Sequence, residues 1–269
     1  MVKIVSWNVN QRPLLDSVID ADVVLLQEAP GVVRSTPGWQ VFPGPGAWRT
    51  GYSSWRTAVA VRQGSGLTAE PIPESPLHDA EDGVLGVSRA GTLTAVRISS
   101  ETLSPIVVVS AYARWEHAHG GRIIYADANA HRILSDLTCL LTQDPPSVQM
   151  LVAGDWNLLR GYNEDGWPDY WRRRYDAVFA RAELMGLHYA GPEHPHGRQA
   201  DPWPAELPKE SLCVPTFRSK SQTPATATRQ LDHVLMTTGL LERDPVVAAL
   251  NEPEEWGDSD HCRVSIQFA

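Results

Sequence analysis

Hydrophobic residues come in short blocks separated by polar and turn-forming residues, and those blocks predict the elements. Lys3 to Asn8, Asp22 to Gln27, Arg56 to Arg62, Thr92 to Ile98, Pro105 to Tyr112 and Met150 to Gly154 are rich in Val, Ile and Leu, and each predicts a strand. In the last segment Cys262, Val264, Ile266 and Phe268 alternate with Arg263, Ser265 and Gln267, the period of a strand with one buried face. Helical spacing is rarer. Leu14, Leu15, Val18 and Ile19 predict a short helix after the first strand. Ala130, Ile133, Leu134, Leu137, Leu140 and Leu141 predict a longer one that stops at Pro145-Pro146, and Val178, Phe179, Ala182, Leu184 and Met185 predict a third that ends at Gly186.

Many strands with few helices, without regular strand–helix alternation or an internal repeat, predict an α/β fold: a two-sheet sandwich with helices outside. No linker interrupts the pattern, so residues 1–269 read as one domain. The stretch from Gly191 to Arg229 is the exception. It holds seven prolines and no clear period, and a structureless run of that length inside a domain is usually functional or mobile.

Composition narrows the function. The 269 residues are 42% hydrophobic and 20% charged, enough to bury a sizeable core. No apolar run is long enough for a membrane span, and the N-terminus reads as a first strand rather than a signal peptide. Cys139, Cys213 and Cys262 fit neither a disulfide framework nor a zinc pattern, so a reduced, cytoplasmic setting is expected. A formal net charge of −9 excludes a strongly basic nucleic-acid-binding module. It does not exclude nucleic acid as a substrate, since a hydrolase needs only a local basic rim.

The candidate chemistry sits where apolar strands end. Asn8 follows Ile4-Val5-Ser6-Trp7, Glu28 follows Val23 to Gln27, Tyr112 follows Val107 to Ala111, and Asp155 and Asn157 follow Leu151 to Gly154. Asp232 and His233 precede Val234-Leu235-Met236, and Asp260-His261 opens the final strand. A lone Asp or Asn at a strand end is usually a turn or cap residue. Six such ends converging on one mouth would form an oxygen-rich site suited to Mg2+ or Mn2+, and poorly suited to zinc.

The motifs Ser-Trp-Asn-Val-Asn (6–10), Leu-Leu-Gln-Glu (25–28), Ser-Ala-Tyr (110–112), Gly-Asp-Trp-Asn (154–157), Gln-Leu-Asp-His-Val-Leu (230–235) and Ser-Asp-His-Cys (259–262) resemble the endonuclease/exonuclease/phosphatase superfamily. This resemblance spans residues 3 to 268 and implies a two-sheet sandwich with the active site at the sheets' edge. It implies that Glu28 ligates a divalent metal, with Asn8 and Asp260 serving the metal site. Asp155 would orient or deprotonate the attacking water, Asn157 would hold a phosphate oxygen, and His261 would contact the scissile phosphate with Asp232 fixing its tautomer. Tyr112 would lie near the phosphate or leaving group. Asn10 stands where the apurinic branch carries an acidic residue.

Two further segments are candidate substrate walls. Trp167 to Tyr175, including Trp171, Arg172 and Arg173, interleaves aromatics with arginines, a pattern that suits bases and phosphates but also an amphipathic helix start. Ser219 to Arg229, with Lys220 and Arg229, is polar and locally basic, as phosphate loops and plain turns both are. His117, His119, His194 and His196 read as loop histidines, His233 as packing, and Gly44-Pro45-Gly46 and Gly64-Ser65-Gly66 as turns. The leading expectation is a Mg2+-dependent phosphodiesterase, foremost a nuclease acting on DNA or RNA. The competitors are a phosphatase or phosphodiesterase for a small molecule or lipid headgroup, and a catalytically silent binding module on the same fold.

Overall fold

The computed structural model describes residues 2–14, 19–43, 56–81, 84–117, 121–141, 148–162 and 169–268. Strands in chain order are β1 (Lys3–Asn8), β2 (Val23–Ala29), β3 (Trp39–Pro43), β4 (Arg56–Arg62), β5 (Thr68–Pro71), β6 (Glu74–Pro76), β7 (Leu85–Val87), β8 (Leu93–Ser99), β9 (Ile106–Tyr112), β10 (Glu116–His117), β11 (Ile124–Tyr125), β12 (Met150–Asp155), β13 (Leu187–Gly191), β14 (Asp232–Thr237), β15 (Val246–Leu250) and β16 (Arg263–Gln267). The helices are α1 (Ala126–Asp136), α2 (Thr138–Leu141), α3 (Asp169–Leu184) and α4 (Thr238–Leu241).

Two six-stranded sheets carry the fold, one ordered β15-β16-β1-β2-β4-β3 and the other β13-β14-β12-β9-β8-β5. Alternate residues of each strand face the other sheet. Ile4, Leu25, Val59 and Ile266 of the first sheet meet Val96, Val108, Leu151 and Val234 of the second in one buried cluster. The intervening residues are buried too, on the outer faces. Val109, Val152 and Leu235 pack under Ala130, Ile133 and Val178 of the helices, while Val5, Val24 and Ala60 pack under Ile19, Val33 and Trp39. Burial on both faces is why these strands read as apolar blocks instead of clean alternations.

The strand expectations for Lys3 to Asn8 and Arg56 to Arg62 match β1 and β4 in full, and the others shift by one or two residues. β3, β5, β13 and β15 in the two large sheets, and the short β6, β7, β10 and β11, are additions that the pattern missed. The long helix starts earlier than its apolar spacing and breaks at Leu137, giving α1 and α2; the third is already helical at Asp169, ahead of its apolar spacing, and partly exposed aromatics and ion pairs hold the turns that follow. The short helix expected over Leu14 to Ile19 and the turn Gly44-Pro45-Gly46 lie largely or wholly outside the described residues, as do His119, Trp167 and Pro168. No helix among the described residues is long and apolar enough to cross a membrane. The segment from Gly191 to Arg229 has one 3-10 turn, Pro224–Thr226. Side chains stand in for a ladder there: Asn251 bonds the backbone of Arg198 and Pro215, and Gln230 bonds Val214 and Pro192.

Two parallel pairings set the site. β1 lies beside β2 with Asn8 opposite Gln27, and β9 lies beside β12 with Tyr112 opposite Asp155. Parallel neighbours end on the same side, so their C-terminal residues share one rim. β14 runs antiparallel to β12 and starts there, with Asp232 opposite Asp155. Gly154 explains its place in the Gly-Asp-Trp-Asn motif: a Cβ at that position would overlap the backbone carbonyl of Ala111 on β9. Gly154→Ala should therefore lower stability by about 1–3 kcal/mol or more, the cost of overpacking. Gly31→Ala, where the added carbon meets nothing within 4 Å, should change little. Thermal unfolding of the two variants checks the contrast.

Candidate active site

Strand periodicity aims the site residues inward. Asn8 shares the inner face of β1 with Ile4 and Ser6, Asp155 that of β12 with Leu151 and Ala153, and Asp232 that of β14 with Val234 and Met236. Trp156 points the opposite way, into the core beneath the helices, where it is 1% exposed. Glu28 breaks the rule. Alternation would group it with Val24 and Leu26 on the outer face. The register of β2 against β4 slips between Leu26 and Ala29, and Glu28 adopts φ of 51°, a left-handed conformation that non-glycine residues take at a cost. The bulge redirects its carboxylate to the rim.

There the side chains meet. Glu28 Oε1 accepts from the Tyr112 hydroxyl at 2.8 Å and from Asn8 Nδ2 at 3.3 Å. Asn8 Nδ2 also donates to Asp155 Oδ2 at 2.9 Å, so one amide bridges two carboxylates. The Asn8 side-chain Oδ1 accepts the backbone N–H of Asn10 at 3.0 Å, which fixes the amide's orientation. Asn157, also left-handed at φ 51°, donates its backbone N–H to Asp155 Oδ1 at 2.9 Å and its amide to Asp155 Oδ2 at 3.2 Å. The Asn10 amide donates to Asp260 Oδ1 at 2.9 Å.

The deepest element is a buried ion cluster. His261 Nδ1 donates to Asp232 Oδ2 at 2.8 Å, and His261 Nε2 lies 3.7 Å from Asp155 Oδ2. Thr216 Oγ1 accepts the backbone N–H groups of Leu231 and Asp232, both at 3.0 Å, and pins the start of β14. Ser259 Oγ donates to the Asn8 carbonyl at 2.7 Å and accepts the His261 N–H at 3.1 Å, tying the end of β1 to the histidine. Thr216 was not a sequence candidate. An apolar–polar pattern cannot single out a threonine inside an aperiodic segment, and only its burial marks it.

Charge follows burial. Desolvation raises Asp155 well above the usual carboxylate range, with Asp232 adding to the shift and His261 opposing it. For His261 desolvation alone would lower the pKa, but the charges of Asp232 and Asp155 and the Asp232 hydrogen bond outweigh it and raise the imidazole well above its ordinary value. Burial first, then the charges of Asp155 and Glu28, pushes Tyr112 up, so its hydroxyl remains a donor. The ligand atoms of Asp155, Asp232 and His261 lie within 4.8 Å of one another, close enough to hold a divalent ion, and Asp232 Oδ1 is buried with no hydrogen-bond partner. The Tyr112 and Asn8 hydrogen bonds to Glu28 both fall on Oε1. Carboxylate oxygens of this kind fit a hard cation.

Of the outlying candidates, Arg172 lies 3.3 Å from Asp169 and 3.7 Å from Asp176, and Arg173 lies 3.4 Å from Asp169. Their charges are paired along α3. Trp171 stacks within an aromatic group beside them. Lys220 and Arg229 are exposed and no ion pair holds them among the described residues. Phe217, which sequence reasoning passed over, lies 5.0 Å ring to ring from His261. His233 is packing: buried, with Nε2 on the Leu158 carbonyl and Phe179 against its ring.

The raised His261 pKa has a signed consequence. Its stabilising contribution is fully present below the unfolded histidine pKa of about 6.5 and is lost as pH rises through the higher folded value. Asp232→Ala should lower the His261 pKa, read from the pH dependence of its imidazole proton resonance. The variant should cost about 3 kcal/mol near neutral pH, because it leaves a buried charge without its partner. An unchanged imidazole titration would contradict the pairing.

In comparisons with known proteins, no protein family matched by sequence and no curated protein matched. Solved structures did. The endonuclease domain of TRAS1, a telomere-specific non-LTR retrotransposon, aligns at a TM-score of 0.62 and 16% identity over 100% of this chain and 98% of that one. The AP endonuclease LMAP from Leishmania major aligns at 0.61 and 18% over 98% of this chain and 86% of its own. The 3′ phosphatase NExo from Neisseria, bound to a product DNA hairpin, aligns at 0.58 and 16% over the full length of both chains. With its two six-stranded sheets and few helices, the chain has the α/β-sandwich fold of the AP endonuclease and endonuclease/exonuclease/phosphatase proteins.

Proposed function

We propose that this protein is a divalent-metal-dependent phosphodiester hydrolase, a nuclease acting on DNA or RNA. One observation carries the reading: a buried His261 held by Asp232 lies 3.7 Å from Asp155, in a mouth that also holds Glu28. Two buried carboxylates around one imidazole are costly to desolvate even when paired, a cost that function accounts for and a catalytically silent module would have no need to bear. The fold shared with an endonuclease, an AP endonuclease and a phosphatase solved with DNA supports the same reading.

The residues divide the work. Asp155, with its raised pKa, suits a general base that takes a proton from the attacking water near neutral pH. His261, protonated through that range, donates from Nε2 to an oxygen of the phosphoryl group as negative charge grows. Asp232 holds the imidazole in place through Nδ1 and keeps it charged. Asn157 and Asn8 restrain the Asp155 carboxylate, and Asn157 is placed to pass an amide N–H to a phosphate oxygen. The Tyr112 hydroxyl gives its one proton to Glu28 and holds that carboxylate at the rim; turned from Glu28, it would offer the same proton to the leaving side.

Mg2+ or Mn2+ is the cofactor that fits, with Glu28 the direct ligand and Asn8 and Asp260 beside it. When bound, the ion supplies Lewis-acid polarisation and charge neutralisation at phosphorus. At the Asp155–Asp232–His261 triad an ion would have to displace the proton that the two aspartates hold on the imidazole, a competition that Glu28 does not face. A reducing, cytoplasmic setting is in keeping with three free cysteines, two of them buried.

Glu28→Ala should weaken Mn2+ binding by calorimetry and lower the hydrolysis rate by about two orders of magnitude, with the fold intact. Asp232→Asn should lower the rate while leaving Mn2+ affinity near wild type; the reverse pattern would put the ion in the triad. Full hydrolysis of plasmid DNA, RNA and bis-p-nitrophenyl phosphate in excess EDTA would overturn the metal dependence. Lys220→Ala with Arg229→Ala should weaken polymer cleavage and flatten its salt dependence, while small-diester hydrolysis changes much less. Equal loss on both substrates would take these two side chains out of a substrate-gripping role.

A further inference from the structure

From the end of β9 across the β10–β11 hairpin to the start of α3, aromatic and cationic side chains form a crescent. We propose that this crescent binds an unpaired polynucleotide strand, its bases stacked on the rings and its phosphates on the flanking arginines. The inference rests on the phosphodiesterase reading and specifies the form of its substrate.

Both ends of the crescent are anchored on the site. One begins at Tyr112, whose carbonyl accepts the Arg114 N–H at 3.0 Å, and passes to Trp115, which is 55% exposed. The β10–β11 hairpin continues it, with Glu116 paired to Tyr125. Tyr125 lies 5.6 Å from the Trp171 ring, and Trp171 lies 5.2 Å from Tyr170 and 6.1 Å from Tyr175. Arg174 sits over Tyr125 at 4.9 Å and Tyr170 at 5.5 Å, held from behind by the buried Asp127. Tyr175 and Phe217 pack against one cluster that includes Leu159, Tyr162 and Leu231. The Arg229 carbonyl accepts the Phe217 N–H at 3.0 Å, and the Phe217 ring lies tilted, 5.0 Å from that of His261. The path thus leaves the site at Tyr112 and returns to it at His261.

Two properties point to a strand with exposed bases. Trp115 and Tyr170 are each 55% exposed although the chain buries other tryptophans, Trp7, Trp39, Trp156 and Trp256, almost completely. Large rings left in water next to a catalytic mouth suit a stacking partner, and only an unpaired strand presents base faces along its length. Cations accompany the rings. Arg122 and Arg229 are exposed and without an ion pair among the described residues, in a chain of net charge −9. An apolar peptide would need no such cations. A duplex hides its base faces and offers phosphates alone.

The test measures binding apart from cleavage. Fluorescence anisotropy in EDTA would compare a mixed-sequence single strand, as DNA and as RNA, with the corresponding duplex. Trp115→Ala and Tyr170→Ala should each weaken single-strand binding by about fivefold or more, with duplex binding little changed. Trp115→Phe should restore most of the loss, and bis-p-nitrophenyl phosphate hydrolysis with Mn2+ should be unaffected. Equal losses for strand and duplex, or no loss on either, would overturn the proposal. If wild-type protein hydrolyses no diester with any divalent ion yet loses strand affinity as described, the hydrolase reading fails and the crescent stands. A preference for DNA or RNA strands would name the polymer.

Discussion

Two ionised carboxylates buried together repel each other unless positive charge lies between them, and the structure depends on that constraint where its two sheets meet. Asp155 and Asp232 sit opposite each other on β12 and β14, both almost completely buried. The His261 imidazole lies between them. Its charge is set by its neighbours, since burial alone would strip the proton and the two aspartates hold it. The surrounding hydrogen bonds keep this cluster in register. Thr216 fixes the start of β14, Ser259 ties β1 to the histidine, and Asn8 and Asn157 grip Asp155.

The scaffold makes such precision possible. Parallel pairs β1–β2 and β9–β12 end on the same rim, so four side chains arrive there without long loops. Where the strand period would send a needed group the wrong way, the backbone gives instead. Glu28 sits in a left-handed conformation beside a register slip, and Asn157 takes a similar conformation two residues past Asp155. Strain of this kind persists only when the surroundings over-determine it, and it clusters at sites with work to do. A polar layer beneath the rim, in which Gln27 donates to Ser6 and Ser110, separates the charged cluster from the apolar core.

The outer surface follows a different logic. The arginines of α3, which sequence alone presents as a basic run, are distributed among Asp127, Asp169 and Asp176. That pairing supports the helix from Asp169 to Asp176, where it has no apolar stripe. Exposed cations without an ion pair among the described residues stand apart in sequence, Arg122 two residues before β11 and Arg229 three residues before β14.

The sequence by itself determined the strand-rich sandwich, because apolar blocks of strand length buried on both faces leave a pattern that any reading recovers. It also marked Asn8, Glu28, Tyr112, Asp155, Asn157, Asp232, Asp260 and His261, since polar residues at the ends of apolar strands stand out and their motifs resemble a known superfamily. Tertiary structure alone decided how they meet. The pairing of Asp232 with His261 joins positions 29 residues apart, and the contact of Asn8 with Asp155 spans 147. Neither separation is encoded in any local period. Thr216 and Phe217 were illegible for the same reason, as they lie in a segment held by side-chain bonds instead of a repeating ladder. The bulge at Glu28 was hidden because alternation predicts direction only while the register holds. Local pattern records burial, and the meeting of distant side chains is a property of sheet order and register, which no short stretch of sequence contains.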